Sequence, residues 1–146
     1  MNLTKFSDYS LRMLLYLALH PGRPVSIAEI SRAYNVSPHI LVKASQLLIN
    51  HGLVVSVRGR RGGLRLAKAP ADINIGKILR ITETNWDLVE CFNAATNTCP
   101  IDAACGLKGA FKRAQRSFFA TLDEHTLADF LPRAPSLIRL LSSSTG

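Results

Sequence analysis

No aspartate or glutamate occurs between Ile30 and Ala71, no lysine or arginine between Arg80 and Lys108, and no cysteine outside the interval Cys91 to Cys105. The acid-free interval carries Arg32, Lys43, Arg58, Arg60, Arg61, Arg65 and Lys68, a local positive field suited to a polyanion. The base-free interval places Glu83, Asp87, Glu90 and Asp102 about the cysteines, so the basic and thiol-bearing regions are different sites. An odd number of cysteines rules out complete internal disulfide pairing. No apolar run approaches the ~20 residues that span a bilayer, so no membrane partner is expected. A secretory leader is not expected either: Lys5, Asp8 and Arg12 interrupt the first stretch, and no small-residue cleavage site follows Met13 to Leu19. The expected location is a reducing cytoplasm, where thiols bind metals or undergo redox chemistry more often than they form bridges. His20, His39, His51 and His125 are scattered with no companion nucleophile or acid, so an enzyme is not expected.

What is present reads as mainly α with a small β-hairpin. The 47% of hydrophobic residues can build a core in 146 residues without staples. A first helix capped by Ser7 runs to about His20, with Leu11, Leu14, Leu15 and Ala18 at helical spacing and Pro21-Gly22 as its stop. Ser26 caps a short helix, Ile27 to Tyr34; Asn35-Val36-Ser37 turns the chain; Pro38 opens another helix to about Asn50. In that second helix Leu41, Ala44, Leu47 and Leu48 form an inward stripe, which leaves His39, Lys43, Gln46 and Asn50 facing solvent, where they can meet base edges. Leu53 to Val57 and Leu64 to Ala67 read as strands joined by Arg58-Gly59-Arg60-Arg61-Gly62-Gly63. Helix-turn-helix followed by a basic hairpin is a winged helix. Ser37, His39 and Lys43 are the candidate base-reading contacts, and Arg58, Arg60 and Arg61 the candidate groove and phosphate contacts.

Pro70 closes this unit, giving residues 1–70 as a DNA-binding domain. A short helix from about Asn74 to Thr82 leads to the cysteine segment, Cys91, Cys99 and Cys105. Thiolates bind soft metals and iron-sulfur clusters tightly, and three within a loop-prone segment make a candidate site. From Gly106 to about Leu122, Leu107, Phe111, Ala114, Phe118 and Leu122 recur at helical spacing. Such a helix packs either on its own chain or on a second copy, and two-fold operators favour the second. Residues 71–131 are thus expected to be a cluster loop and dimerisation helix, with a turn of helix at Thr126 to Phe130. Pro132, Pro135 and Ser-Ser-Ser-Thr-Gly point to a flexible tail over 132–146.

The wing Val57-Arg58-Gly59-Arg60-Arg61-Gly62-Gly63, the three cysteines and the helix after them resemble the Rrf2 family of bacterial iron-sulfur transcription regulators. Leu88-Val89-Glu90-Cys91-Phe92, Cys99-Pro100-Ile101, Cys105-Gly106-Leu107-Lys108-Gly109 and Thr126-Leu127-Ala128-Asp129-Phe130 are most similar to its nitric-oxide-sensing repressors. The resemblance covers about residues 1 to 131. It implies a homodimer on double-stranded operator DNA, one iron-sulfur cluster per subunit, 4Fe-4S rather than 2Fe-2S, and nitric oxide as the signal. Three thiolates satisfy three irons of a cubane, and a non-thiolate ligand leaves the fourth more open to attack. Glu90, Asp102, His125 and Asp8 are candidates for that ligand. The resemblance points to an N-terminal oxygen donated by the partner subunit, hence Asp8, with Arg12 one turn on as its alternative partner and a candidate switch residue. The spacing of seven and five residues between cysteines differs from the five and five of the cluster-homeostasis branch, and Val42 stands where that branch has a base-reading glutamate. The rival readings are a regulator of that branch, a zinc site made of the cysteines plus Asp or His, and a metal-free thiol switch.

Overall fold

Thr4, in extended backbone, accepts a hydrogen bond from the Ser7 N–H (3.2 Å) and opens helix α1, Lys5–Leu19. The cap is therefore Thr4 rather than Ser7, whose side chain is buried one turn inside the helix. In this computed structural model, which describes residues 2–143, five further helices follow: α2 (Ile27–Tyr34), α3 (Pro38–Asn50), α4 (Ile75–Thr82), α5 (Gly106–Asp123) and α6 (Ala134–Ser143). A hairpin of β1 (Val54–Val57) and β2 (Gly63–Leu66) lies between α3 and α4.

Local chemistry explains the first half of the chain. Ser26 caps α2 through the Glu29 N–H, and Asn35 ends it in the left-handed region at φ 51°, a conformation asparagine tolerates better than most residues. Pro38 supplies the first turn of α3, where a missing N–H is no loss. Along α3, Leu41, Ala44 and Leu48 are buried and meet Met13, Leu14 and Leu17 of α1, Ile30 of α2 and Val54 and Leu64 of the hairpin in one core, while Leu47 of the expected stripe is half-buried. Ile73, Ile78 and Leu127 extend this core toward α4, so the winged-helix half and the following segment share apolar packing.

The two strands are antiparallel, with Val54 opposite Leu66 and Val57 opposite Gly63. Val25 adds a bridge to β2, giving and receiving backbone bonds with Leu64 at 2.9 and 2.8 Å. Gly63 allows that approach: a Cβ there would lie 2.6 Å from the Val25 carbonyl oxygen. Gly63→Ala is expected to destabilise the protein by about 1–3 kcal/mol through this backbone clash, read as a lowered thermal midpoint. A wild-type midpoint would show that the wing does not depend on the Val25 contact.

Residues 127–133 form a 3₁₀ helix opened by a capping box between Thr126 and Asp129. The tail expected from residue 132 is a helix instead over its described part. Pro135 is the second residue of α6, a position that needs no N–H, and Ile138 and Leu141 turn toward Tyr16 and Ala33. Residues 144–146 of that tail lie outside the described residues. No helix of the described residues is long and apolar enough to cross a membrane.

Candidate functional site

Two surfaces gather the sequence-derived candidates. On the first, α3 presents His39, Lys43, Gln46 and Asn50 to solvent, together with Val42, which is 51% exposed. Ser37 is exposed at the head of the helix, and its hydroxyl makes no capping bond there. Lys5, Phe6 and Tyr9 of α1 face Ser37, His39, Ile40 and Lys43 across a groove of 520 Å³. Sequence reasoning did not include Lys5, Phe6 or Tyr9, because only the packing of α1 on α3 brings them there.

The wing carries Arg58, Arg60 and Arg61, all exposed, around a tight reversal. Gly59 sits at φ 110°, a conformation that L side chains rarely adopt. The Gly62 N–H bonds the Gly59 carbonyl at 2.9 Å, closing the turn. With Arg65 exposed on β2, the hairpin is a compact cationic projection. Such a projection can contact phosphates or enter a groove while the helix meets base edges.

The second surface is the thiol loop between α4 and α5. Cys91 lies in a 3₁₀ turn, Glu90–Phe92; Cys99 lies in irregular chain, its carbonyl accepting from the Asp102 N–H at 3.3 Å; Cys105 directly precedes α5. All three thiols are free and half-buried. The loop is drawn together by its acids. Glu90 accepts from the N–H and hydroxyl of Thr98, at 2.8 and 2.6 Å, which brings the Cys91 and Cys99 segments side by side. These bonds hold the Glu90 carboxyl below the usual carboxylate range. Asp102 receives both bonds of the Lys108 ammonium, at 2.6 and 2.8 Å, and its backbone carbonyl accepts from the Cys105 N–H. Asp102 raises the Lys108 pKa by this hydrogen bond. Lys112 also stands over the Phe92 ring at 6.0 Å.

Among the described residues no three His, Cys, Asp or Glu side chains converge into a group that could hold a metal ion. The loop thus presents a donor set, three unpaired thiols on one short tether, rather than a closed cage. That set matches a soft metal or an iron-sulfur cluster. The carboxylates are engaged elsewhere: Glu90 with Thr98, Asp102 with Lys108, and Asp8 with Arg12 in a two-pronged pair at 2.9 and 2.7 Å within α1. His125 Nδ1 lies 3.6 Å from Asp129. Glu83, which sequence reasoning grouped with the cysteines, is buried against Thr4 instead.

Helix α5 buries none of its residues within the chain. Its C-terminal half is fastened to α4 by Arg80, which pairs with Asp123 at 2.6 and 2.7 Å and covers the Phe119 ring at 4.3 Å. Trp86, absent from the sequence-based site, packs on Phe118 and Phe119. In the N-terminal half Leu107 and Phe111 remain 65% and 41% exposed.

The profile of the Rrf2 family, described as iron-dependent transcriptional regulators, matches residues 3–133. Over 142 residues the chain is 45% identical to the HTH-type transcriptional regulator NsrR of Halalkalibacterium halodurans, with 97% of each protein covered. It is 42% identical to NsrR of Bacillus subtilis over 142 residues, again with 97% of each covered. Among solved structures, T. potens IscR matches with a TM-score of 0.74 at 30% identity, covering 92% of this chain and 88% of that one. CymR, the global cysteine regulator of B. subtilis, matches at 0.70 and 28% identity, covering 88% and 95%. The α1–α3 and hairpin arrangement is the winged helix of these regulators.

Proposed function

This chain belongs to the Rrf2 family of transcriptional regulators, which are not enzymes, and we propose that it is a cytoplasmic homodimeric repressor whose operator binding is governed by an iron-sulfur cluster that reacts with nitric oxide. The observation that carries this reading is the thiol loop: three unpaired cysteines on a tether hydrogen-bonded through Glu90 and Asp102, in a chain whose separate basic face is built for DNA. Cys91, Cys99 and Cys105 would hold the cluster, of 4Fe-4S type in this reading. Such a cluster supplies an iron without a thiolate ligand, the point open to nitric oxide.

The chain's own residues perform the rest. Leu107, Phe111 and Ala114 form the uncovered face on which a second copy would pack, and α5 is continuous with Cys105, so dimer and thiol loop share one element. Asp8 has two alternative positions in this account. It pairs with Arg12 of its own helix, as in the present structure, or it would serve as the oxygen ligand of the cluster held by the partner subunit's loop. Exchange between the two would shift the start of α1, where Phe6 and Tyr9 line the groove against His39 and Lys43. An element with two discrete arrangements, each favoured by a different site, is what coupling requires.

Wild-type and Asp8→Ala proteins, purified without oxygen, test this reading. The wild type is expected to be coloured, to contain iron and acid-labile sulfide, and to bind operator more tightly than its cluster-free form. Asp8→Ala is expected to show an altered cluster spectrum and to lose most of that difference in affinity. Zinc without sulfide in the wild type would overturn the cluster reading, and an unchanged spectrum with unchanged cluster-dependent affinity would overturn the role of Asp8.

A further inference from the structure

Glu83 is a buried carboxylate, 9% exposed, with no lysine, arginine or histidine within ion-pair distance among the described residues. A buried charge is costly unless hydrogen bonds replace its water. Its partners lie 79 residues away in sequence: the Thr4 N–H donates at 2.6 Å and the Thr4 hydroxyl at 3.0 Å, both to one Glu83 oxygen. Burial pushes the carboxyl up, bonds from Ser7 and Thr4 outweigh it, and the group is held below the usual carboxylate range. Thr4 is also the cap of α1, and the positive end of that helix dipole favours the charge. Glu83 itself ends α4, its N–H bonded to the Leu79 carbonyl at 2.9 Å. Three residues on, Trp86 wedges against Phe118 and Phe119, and Gln115 of α5 donates to the Trp86 carbonyl at 2.5 Å.

We propose that Glu83 is a positioning residue that ties the start of the thiol loop to the first turn of α1, so that a shift of the loop is transmitted within one subunit to Asp8 and to the α1 wall of the recognition groove. The inference rests on the cluster-controlled function proposed above and adds a route inside the subunit to the exchange of Asp8 between subunits. The junction has reason to rearrange. A cavity of 420 Å³ opens among Leu3, Thr4, Glu83, Asn85, Trp86 and Leu88. The Trp86 indole N–H is buried without a hydrogen-bond partner among the described residues, so a shift that supplies an acceptor is favoured. On the far side, α1 runs from its cap Thr4 as one helix of 15 residues, Lys5–Leu19, past Asp8, with Phe6 and Tyr9 at the groove.

The test compares operator affinity of cluster-loaded and cluster-free protein, by fluorescence anisotropy, in wild type, Glu83→Ala, Glu83→Gln, Thr4→Val and Thr4→Ser. Couplings of this kind typically change affinity about 5- to 150-fold. Glu83→Ala and Thr4→Val are expected to bring the loaded-to-free ratio toward one through a loss in the loaded form. Glu83→Gln and Thr4→Ser, which keep an acceptor and a hydroxyl, should retain most of it. The emission of Trp86, the single tryptophan, should move in cluster-free Glu83→Ala while helix content by circular dichroism does not. A wild-type ratio kept in both Glu83→Ala and Thr4→Val, or an equal loss of affinity in loaded and free forms, would overturn the role of Glu83. If Glu83→Ala does not fold, the pair Thr4→Val and Thr4→Ser decides by the same ratios. A ratio of one in the wild type would mean that the proposed function itself fails, a result distinct from the others.

Discussion

Serine in place of Cys91, Cys99 or Cys105 is expected to lower iron and sulfide content to background and to reduce operator affinity to that of the cluster-free protein, a drop of about 5- to 150-fold. The substitution exchanges one sulfur for oxygen and removes the soft donor without changing shape. None of the three thiols belongs to the apolar core or to a disulfide. Substitutions at positions without such features usually alter stability by less than about 0.5 kcal/mol, so the thermal midpoint of cluster-free protein should be nearly unchanged. Metal analysis, anisotropy and a thermal melt on the same preparations separate loss of a ligand from loss of fold. Retained iron and sulfide in any one variant would remove that cysteine from the ligand set.

Arg60→Ala with Arg61→Ala is expected to weaken binding to every DNA sequence and to reduce the slope of log affinity against log salt by about two, since each neutralised phosphate contributes about 0.9. Both side chains are exposed at the tip of the hairpin, so their loss leaves the core untouched. His39 and Lys43 lie on the solvent face of α3, where replacement should instead change discrimination among sequences by about 1–3 kcal/mol at the affected base pair. Equal losses on every sequence for both pairs would contradict this division between wing and helix.

The parts legible in the sequence were those fixed by local chemistry. Ser26 starts α2, Asn35 and Pro38 set the turn between α2 and α3, and Gly59, Gly62 and Gly63 mark a reversal that bulkier residues resist. The spacing of Leu107, Phe111, Ala114, Phe118 and Leu122 foretold α5 to within a residue of its end. What escaped was set by contacts across the chain. Thr4 displaced Ser7 as the cap of α1, and its hydroxyl also meets a carboxylate 79 residues away. Pro132 and Pro135 read as breakers, yet Pro135 falls in the first turn of α6. Leu137, Ile138 and Leu141 already carried helical spacing in that segment. Trp86 stood alone in a polar stretch, and only the fold brings Phe118 and Phe119 to it. For the thiol loop, sequence supplied the donors, whereas the tethers Glu90–Thr98 and Asp102–Lys108 belong to its folded path.

The most direct test of the central claim is a titration of cluster-loaded protein with nitric oxide under strictly anaerobic conditions, following cluster absorbance and operator binding in the same samples. Absorbance loss and DNA release should proceed together and be complete at the same ratio of nitric oxide to cluster. Complete reaction of the cluster with operator affinity unchanged, or release of DNA while the absorbance stays intact, would contradict the account.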